Sequence, residues 1–375
     1  MTVHSLDEAY LIRLDLRQDI TSHWSEFVAE WCLGAAPVQA PAEVERAFDA
    51  LRRLWPEFLD KLQARSVRGL MYVVGAIDVG LTLAACESLS GFGPVMDRLR
   101  RGEESALAEL QFAHAVIRCG FTPILEPRLG SKVLDCSVDI GSERVFVEVI
   151  SPERAAGLKN AEDTLFSLAT EIVERTGGTR SEILLSTEPE AQFEAIVTAV
   201  TSAQPDGSVH NVEGIGWVRR DFLGPQPPNV GSLIYNPDPR PVLAVGRTAV
   251  DQRVVEGPTF TSATVRLPIT DERAHRLLSN ELRHFSSEEQ NILAVRVSNA
   301  PGHMKGWRPL ALRWLQPSRN RRVGAIILFE QVQEATTHSP AVIRQRWQVI
   351  ENPYAYKPIP RSLVTAISAL DEGPA

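Results

Sequence analysis

The spacing of apolar positions changes along the chain. In "PAEVERAFDALRRLWPEFLDKLQA", residues 41–64, Val44, Phe48, Leu51, Leu54 and Phe58 recur at helical spacing, which predicts a helix with one buried stripe. Pro56 must kink that helix or start a new one. Residues 70–86 form a nearly continuous apolar run with Asp78 at its centre. A charge there costs about 3 kcal/mol in a bilayer, and Gly75, Gly80 and Thr82 weaken the run further, so a buried core helix is expected and no membrane span. "EESALAELQFAHAVIRCGF", residues 103–121, predicts an amphipathic helix with Ala106, Leu110, Ala113 and Ile117 on one stripe. Gly120 past its end is the stop signal.

After Gly120 the period shortens to two. Strands are expected at 122–126, 133–140 and 145–150, then a helix at 160–174, a strand at 181–186 and a helix ending near 203. Residues 205–265, with "GPQPPNVG" and "NPDPRPV", read as an irregular insertion. Regular structure resumes with the helical "TDERAHRLLSNELRHFS", the strand "NILAVRVS", the helical "WRPLALRWLQ" and the buried strand "RVGAIILFE". Alternating helices and strands imply an α/β sandwich on a mixed sheet. The expected organisation is a helical domain at 1–100, an α/β domain at 101–334 with an insertion at about 190–265, and a C-terminal tail at 335–375 whose prolines keep it on the surface. The helical domain shows no chemistry and is expected to scaffold or to bind a protein partner.

Two arms of opposite alternation surround Gly141 in "LDCSVDIGSERVFVEVISP", residues 134–152. On the first arm Asp135, Ser137 and Asp139 share a face, and on the second Phe146, Glu148 and Ile150 share one. A loop pairing Ile140 with Val145 would pair Ser137 with Glu148 and set Asp135 diagonally across from Glu148, within reach of one cation. An odd-numbered loop would separate the acids onto opposite faces. Two solvated acids on a half-exposed hairpin is the competing reading.

The run "AELQFAHAVIRCGFTPILEPRLGSKVLDCSVDIGSERVFVEV", residues 108–149, resembles the restriction-endonuclease-like superfamily with its PD-(D/E)xK signature. Glu109 matches that family's helix acid, Asp135 its strand acid and Glu148 the first member of its triplet. The resemblance extends to "ELRHFSSEEQNILAVRVS", residues 281–298. It implies a restriction-endonuclease-like fold, a nuclease that binds Mg²⁺ or Mn²⁺ through Glu109, Asp135 and Glu148, and nucleic acid as partner, DNA ahead of RNA. One departure matters: the triplet's lysine is Ile150, which can neither steady an attacking water nor offset charge on the phosphorane. The amine would then come from elsewhere. Lys159 is the first candidate, and Lys132 and Arg283 are the others. The alternative is a protein that kept the fold as a binding or structural scaffold and lost the chemistry.

Composition changes this picture in one respect. The chain of 375 residues carries a net charge of −8, yet residues 296–361 hold eleven lysines and arginines against three acids. One end can therefore approach phosphates. Within it, Arg319, Arg321 and Arg322 of "SRNRR" are candidate nucleic-acid contacts. Trp307, Leu310, Ala311 and Trp314 share a helical face and are expected in the core. Four scattered cysteines, without paired metal-ligand spacing, point to a reducing cytoplasm. His114, on the helix with Glu109, reads as a core histidine. Phosphate-binding glycine loops, HExxH and GxSxG are absent, which removes the common nucleotide-binding, zinc-protease and serine-hydrolase classes.

Overall fold

The computed structural model describes residues 41–59, 70–151, 158–186, 192–222, 245–254, 260–268, 271–297, 303–317, 319–336 and 339–370. Residues 1–40 of the expected helical domain lie outside them. Helices α1 (Pro41–Leu54), α2 (Leu70–Cys86), α3 (Phe92–Arg100) and α4 (Glu104–Arg118) come first in the described chain. They share an apolar core that includes Phe48, Leu51, Ile77, Leu83, Met96 and Leu110. Burying each such side chain stabilises the fold by about 1.5–3 kcal/mol. Asp78 accepts a hydrogen bond from Gln345 Nε2 at 3.3 Å. Among the described residues no helix is long and apolar enough to cross a membrane.

The central sheet has six strands: β1 (Pro123–Leu125), β4 (Cys136–Ile140), β5 (Glu143–Ile150), β11 (Gln290–Arg296), β12 (Ala325–Thr336) and β13 (Ser339–Glu351). They lie in the order β1-β4-β5-β11-β12-β13. β5, β11 and β12 run parallel, and the remaining pairs are antiparallel. Between β1 and β4 the chain makes the two-residue strands β2 (Arg128–Leu129) and β3 (Lys132–Val133). Helices cover both faces of the sheet. One face packs Val138, Val145, Val147, Ala294 and Ile327 beneath α4 and the last helix, α9 (Arg361–Ala369). The other packs Phe146, Ile150, Leu293 and Ile326 beneath α7 (Asp271–Glu281) and α8 (His303–Trp314). The protein is thus mixed α/β, with a mixed sheet flanked by helices.

Two expectations are corrected here. Most of the described part of 205–265 is regular rather than irregular. Strands β7 (Asp206–Val212), β8 (Gly216–Phe222), β9 (Val245–Val254) and β10 (Phe260–Pro268) join β6 (Thr179–Leu185) in a five-stranded sheet ordered β7-β8-β6-β10-β9. Helices α5 (Leu158–Arg175) and α6 (Phe193–Ser202) pack on that sheet through Leu168, Ile172 and Val197. Prolines at 223–244 masked the short alternation of the flanking strands. Secondly, residues 339–369 are not a surface wrap, since they supply the long edge strand β13 and the helix α9. Ile150 is buried beneath α7 and α8, not beneath the helix that follows it in sequence. α5 belongs to the core of the second sheet, and α7 is the element that leads back into β11.

Candidate functional site

The hairpin closes more tightly than its alternation alone implied. Gly141 has φ 62°, which suits the first central position of a two-residue type II′ turn, and Ile140 faces Glu143. Cys136 therefore faces Val147, two residues away from the expected register. Parity is preserved, so the acids share a face. Continuing the register sets Asp135 opposite Glu148 rather than diagonal to it. β4 begins only at Cys136, and the Asp135 carboxylate takes the place of the next ladder bond by accepting the Val149 N–H at 2.7 Å.

Glu148 is buried and Asp135 half-buried, and their carboxyl groups are electrostatic neighbours. Burial pushes Glu148 up to about 10, and the neighbouring Asp135 adds to the shift. Burial raises Asp135 as well, against the pull of the neighbouring Glu148 side chain and the Val149 N–H.

Two further groups meet Glu148 from α7 and the turn that follows. His284 Nδ1 lies 2.9 Å from Glu148 Oε1 and 3.3 Å from Glu281 Oε2. Arg283 Nε donates to His284 Nε2 at 3.3 Å, so the tautomer that satisfies these contacts carries its proton on Nδ1. One donor atom from each of Glu148, Glu281 and His284 lies within 4.8 Å of the others. Two carboxylate oxygens and one imidazole nitrogen are donor types that divalent cations accept, and the set identifies no single metal. Burial also raises Glu281, with Asp135 contributing and His284 and Arg283 opposing. Relief of this crowded negative charge is what a cation would supply.

Glu109 stands next in the line of acids and has a different partner. It is buried on α4, and both its oxygens accept from the Arg98 guanidinium, Oε1 from Nη1 at 2.9 Å and Oε2 from Nη2. Arg98 also approaches Glu126 Oε1 at 3.3 Å. Burial and the Asp135 charge push Glu109 up to about 8 despite the guanidinium. Arg98 thus brings a fixed cation from the helical layer to the acids of the hairpin.

The amine candidates fall in different places. The Lys159 side chain lies outside the described residues, although its backbone is in the first turn of α5. Lys132 Nζ donates to the Arg283 carbonyl oxygen. Arg319, Arg321 and Arg322 are exposed on the loop into β12, and Arg321 Nε is bonded to the Tyr354 carbonyl at 2.8 Å. His114, half-buried, lies 3.2 Å from Thr82 Oγ1, and burial lowers it to about 4, as befits a core histidine.

Glu281, His284 and Arg98 were missed by sequence reasoning. For the first two a signal existed, a carboxylate and an imidazole three residues apart in "ELRH", the spacing of helical neighbours. No family model, curated protein or solved structure matches this chain.

Proposed function

We propose that the chain is a metal-dependent nuclease-like protein of the restriction-endonuclease-like fold, acting on or binding nucleic acid. The observation that carries this reading is Asp135 placed opposite Glu148 on a buried sheet face, with Glu281 and His284 beside them. A βα-flanked mixed sheet with a hairpin of acids is consistent with that fold. Asp135 and Glu148 would hold a divalent ion, with Glu281 and His284 as added donors. When bound, such an ion lowers the pKa of its water and offsets charge on the phosphoryl oxygens.

The chain's own groups supply the rest. Ile150 lies in the apolar core and contributes no charge to the reaction. His284, 2.9 Å from Glu148 through Nδ1, holds that carboxyl group in position. Arg98 keeps one acid of the line, Glu109, paired, so that the cluster carries less uncompensated charge. Lys159 is retained as a source of the absent amine, near the hairpin in sequence.

The test is hydrolysis of DNA and RNA with Mg²⁺ or Mn²⁺, comparing the unmodified chain with Asp135→Ala, Glu148→Ala and Lys159→Ala. Cleavage lost in both acid variants supports the reading. Equal rates in the Lys159 variant remove that residue's role. A second reading, a binding protein on a nuclease scaffold, is favoured by the burial of Ile150 and the pairing of Glu109 with Arg98. It holds if the unmodified chain is as inert as the acid variants across substrates and metals.

A further inference from the structure

The loop before β12 and the segment after β13 meet at one end of the central sheet. Asn352, buried, donates from Nδ2 to the Val323 carbonyl at 2.8 Å, and its N–H donates to the Gly324 carbonyl at 2.9 Å. A Cβ at Gly324 would lie 2.6 Å from Ile359 Cδ1 and 2.8 Å from the Lys357 carbonyl, so only glycine permits this approach. The Tyr356 N–H donates to the Arg321 carbonyl at 2.8 Å, while Arg321 Nε donates to the Tyr354 carbonyl at 2.8 Å. Asn320, at φ 62°, ties the same loop to the end of α8 through the Trp314 carbonyl at 2.6 Å.

This buried polar clamp presents groups that the fold itself does not bury. Tyr354 is 40% exposed and Tyr356 52% exposed. The Arg321 guanidinium lies 4.4 Å from the centre of the Tyr356 ring. Arg319, Arg322 and Lys357 are exposed beside them. Of the bordering acids, Glu351 is paired with Arg361 at 2.8 Å. Glu288 and Glu289, on the loop before β11, leave four cations against two acids.

We propose that Tyr354, Tyr356 and the loop Arg319–Arg322 form one platform for single-stranded nucleic acid, the rings stacking on bases and the cations meeting phosphates. Exposed rings on a rigid support reach only bases that are not already stacked within a duplex. Backbone anchoring at both tyrosines lowers the entropy lost on binding. The arginines meet a polyanion without base selectivity. This rests on the nucleic-acid reading above for the class of partner, but on residues separate from the acid cluster, and it adds the strandedness.

The experiment is fluorescence anisotropy of a labelled oligothymidylate with the full chain in EDTA, where no metal-dependent cleavage can interfere. The unmodified chain binds the oligonucleotide. The pair Tyr354→Ala with Tyr356→Ala weakens binding roughly tenfold or more, whereas Tyr354→Phe with Tyr356→Phe retains it. Arg321→Ala weakens binding and lowers the slope of log affinity against log salt by about one. Unchanged thermal melting of the alanine pair excludes unfolding as the cause. Binding of a duplex as tight as that of the single strand, an alanine pair that binds normally, or no binding at low salt overturns the proposal. Binding without cleavage under Mg²⁺ or Mn²⁺ leaves the platform standing and removes the nuclease reading.

Discussion

Asp135 follows on from the hairpin register to stand opposite Glu148, and its carboxylate accepts the Val149 N–H at 2.7 Å. A proton on the buried Glu148, raised to about 10, relieves charge that a divalent ion would otherwise offset. Adding Mn²⁺ or Mg²⁺ at about a hundred times its Kd is therefore expected to raise stability by about 3 kcal/mol. Thermal melting with and without metal measures this. Asp135→Asn and Glu148→Gln should melt no lower than the unmodified chain without metal, because each replaces a crowded carboxyl group with a neutral amide, and should lose the metal response. A metal response that survives in both variants would place the ion elsewhere.

The metal-free chain should lose stability as pH rises. Glu148 and Glu109 start from an ordinary value of 4.5 and reach about 10 and about 8 in the fold. Between those limits the folded state holds protons that the unfolded chain has released. Stability is therefore fully present below about pH 4.5 and declines through pH 8 for Glu109 and pH 10 for Glu148. Urea midpoints measured in EDTA from pH 5 to 9 check this. Glu148→Gln should flatten the decline, and a midpoint that rises across the range in the unmodified chain would contradict the assignment.

Half-buried Arg98 and buried Glu109 make a pair that tolerates loss of both partners better than loss of one. Arg98→Met is expected to cost about 2 kcal/mol, because it leaves both buried Glu109 oxygens without their donors. Adding Glu109→Gln to that variant should recover much of the loss. A double-mutant cycle by chemical denaturation reads the coupling, and additive effects would show that the pair is not joined energetically.

Ile150 fills the core beneath α7 and α8. Ile150→Ala should destabilise the chain by about 2–4 kcal/mol through lost burial and the cavity left behind. Denaturant unfolding checks this, and a cost near zero would mean that the side chain lines an open groove.

The hairpin and its shared acidic face were legible from the sequence alone, because strand alternation is local and an even turn preserves it. The two helical stripes of α4 were also legible in part. Ala106, Leu110 and Ala113 pack on the helical core, while Ala108 and Phe112 face the sheet. Register was not legible, since the choice of a two-residue over a four-residue turn rests on the backbone of Gly141 and on what the strands pack against. Nor was the full donor set. Glu281 and His284 follow Glu148 only after the whole five-stranded sheet, and Arg98 precedes it on a helix with no strand character. Parallel pairing of β5 with β11 carries α7 back across the sheet and brings His284 to Glu148. Packing of the helical layer on α4 brings Arg98 to Glu109. Local alternation determined which acids could face one another, and long-range packing decided which cations meet them, because a buried charge takes its partner from whatever element the core places beside it.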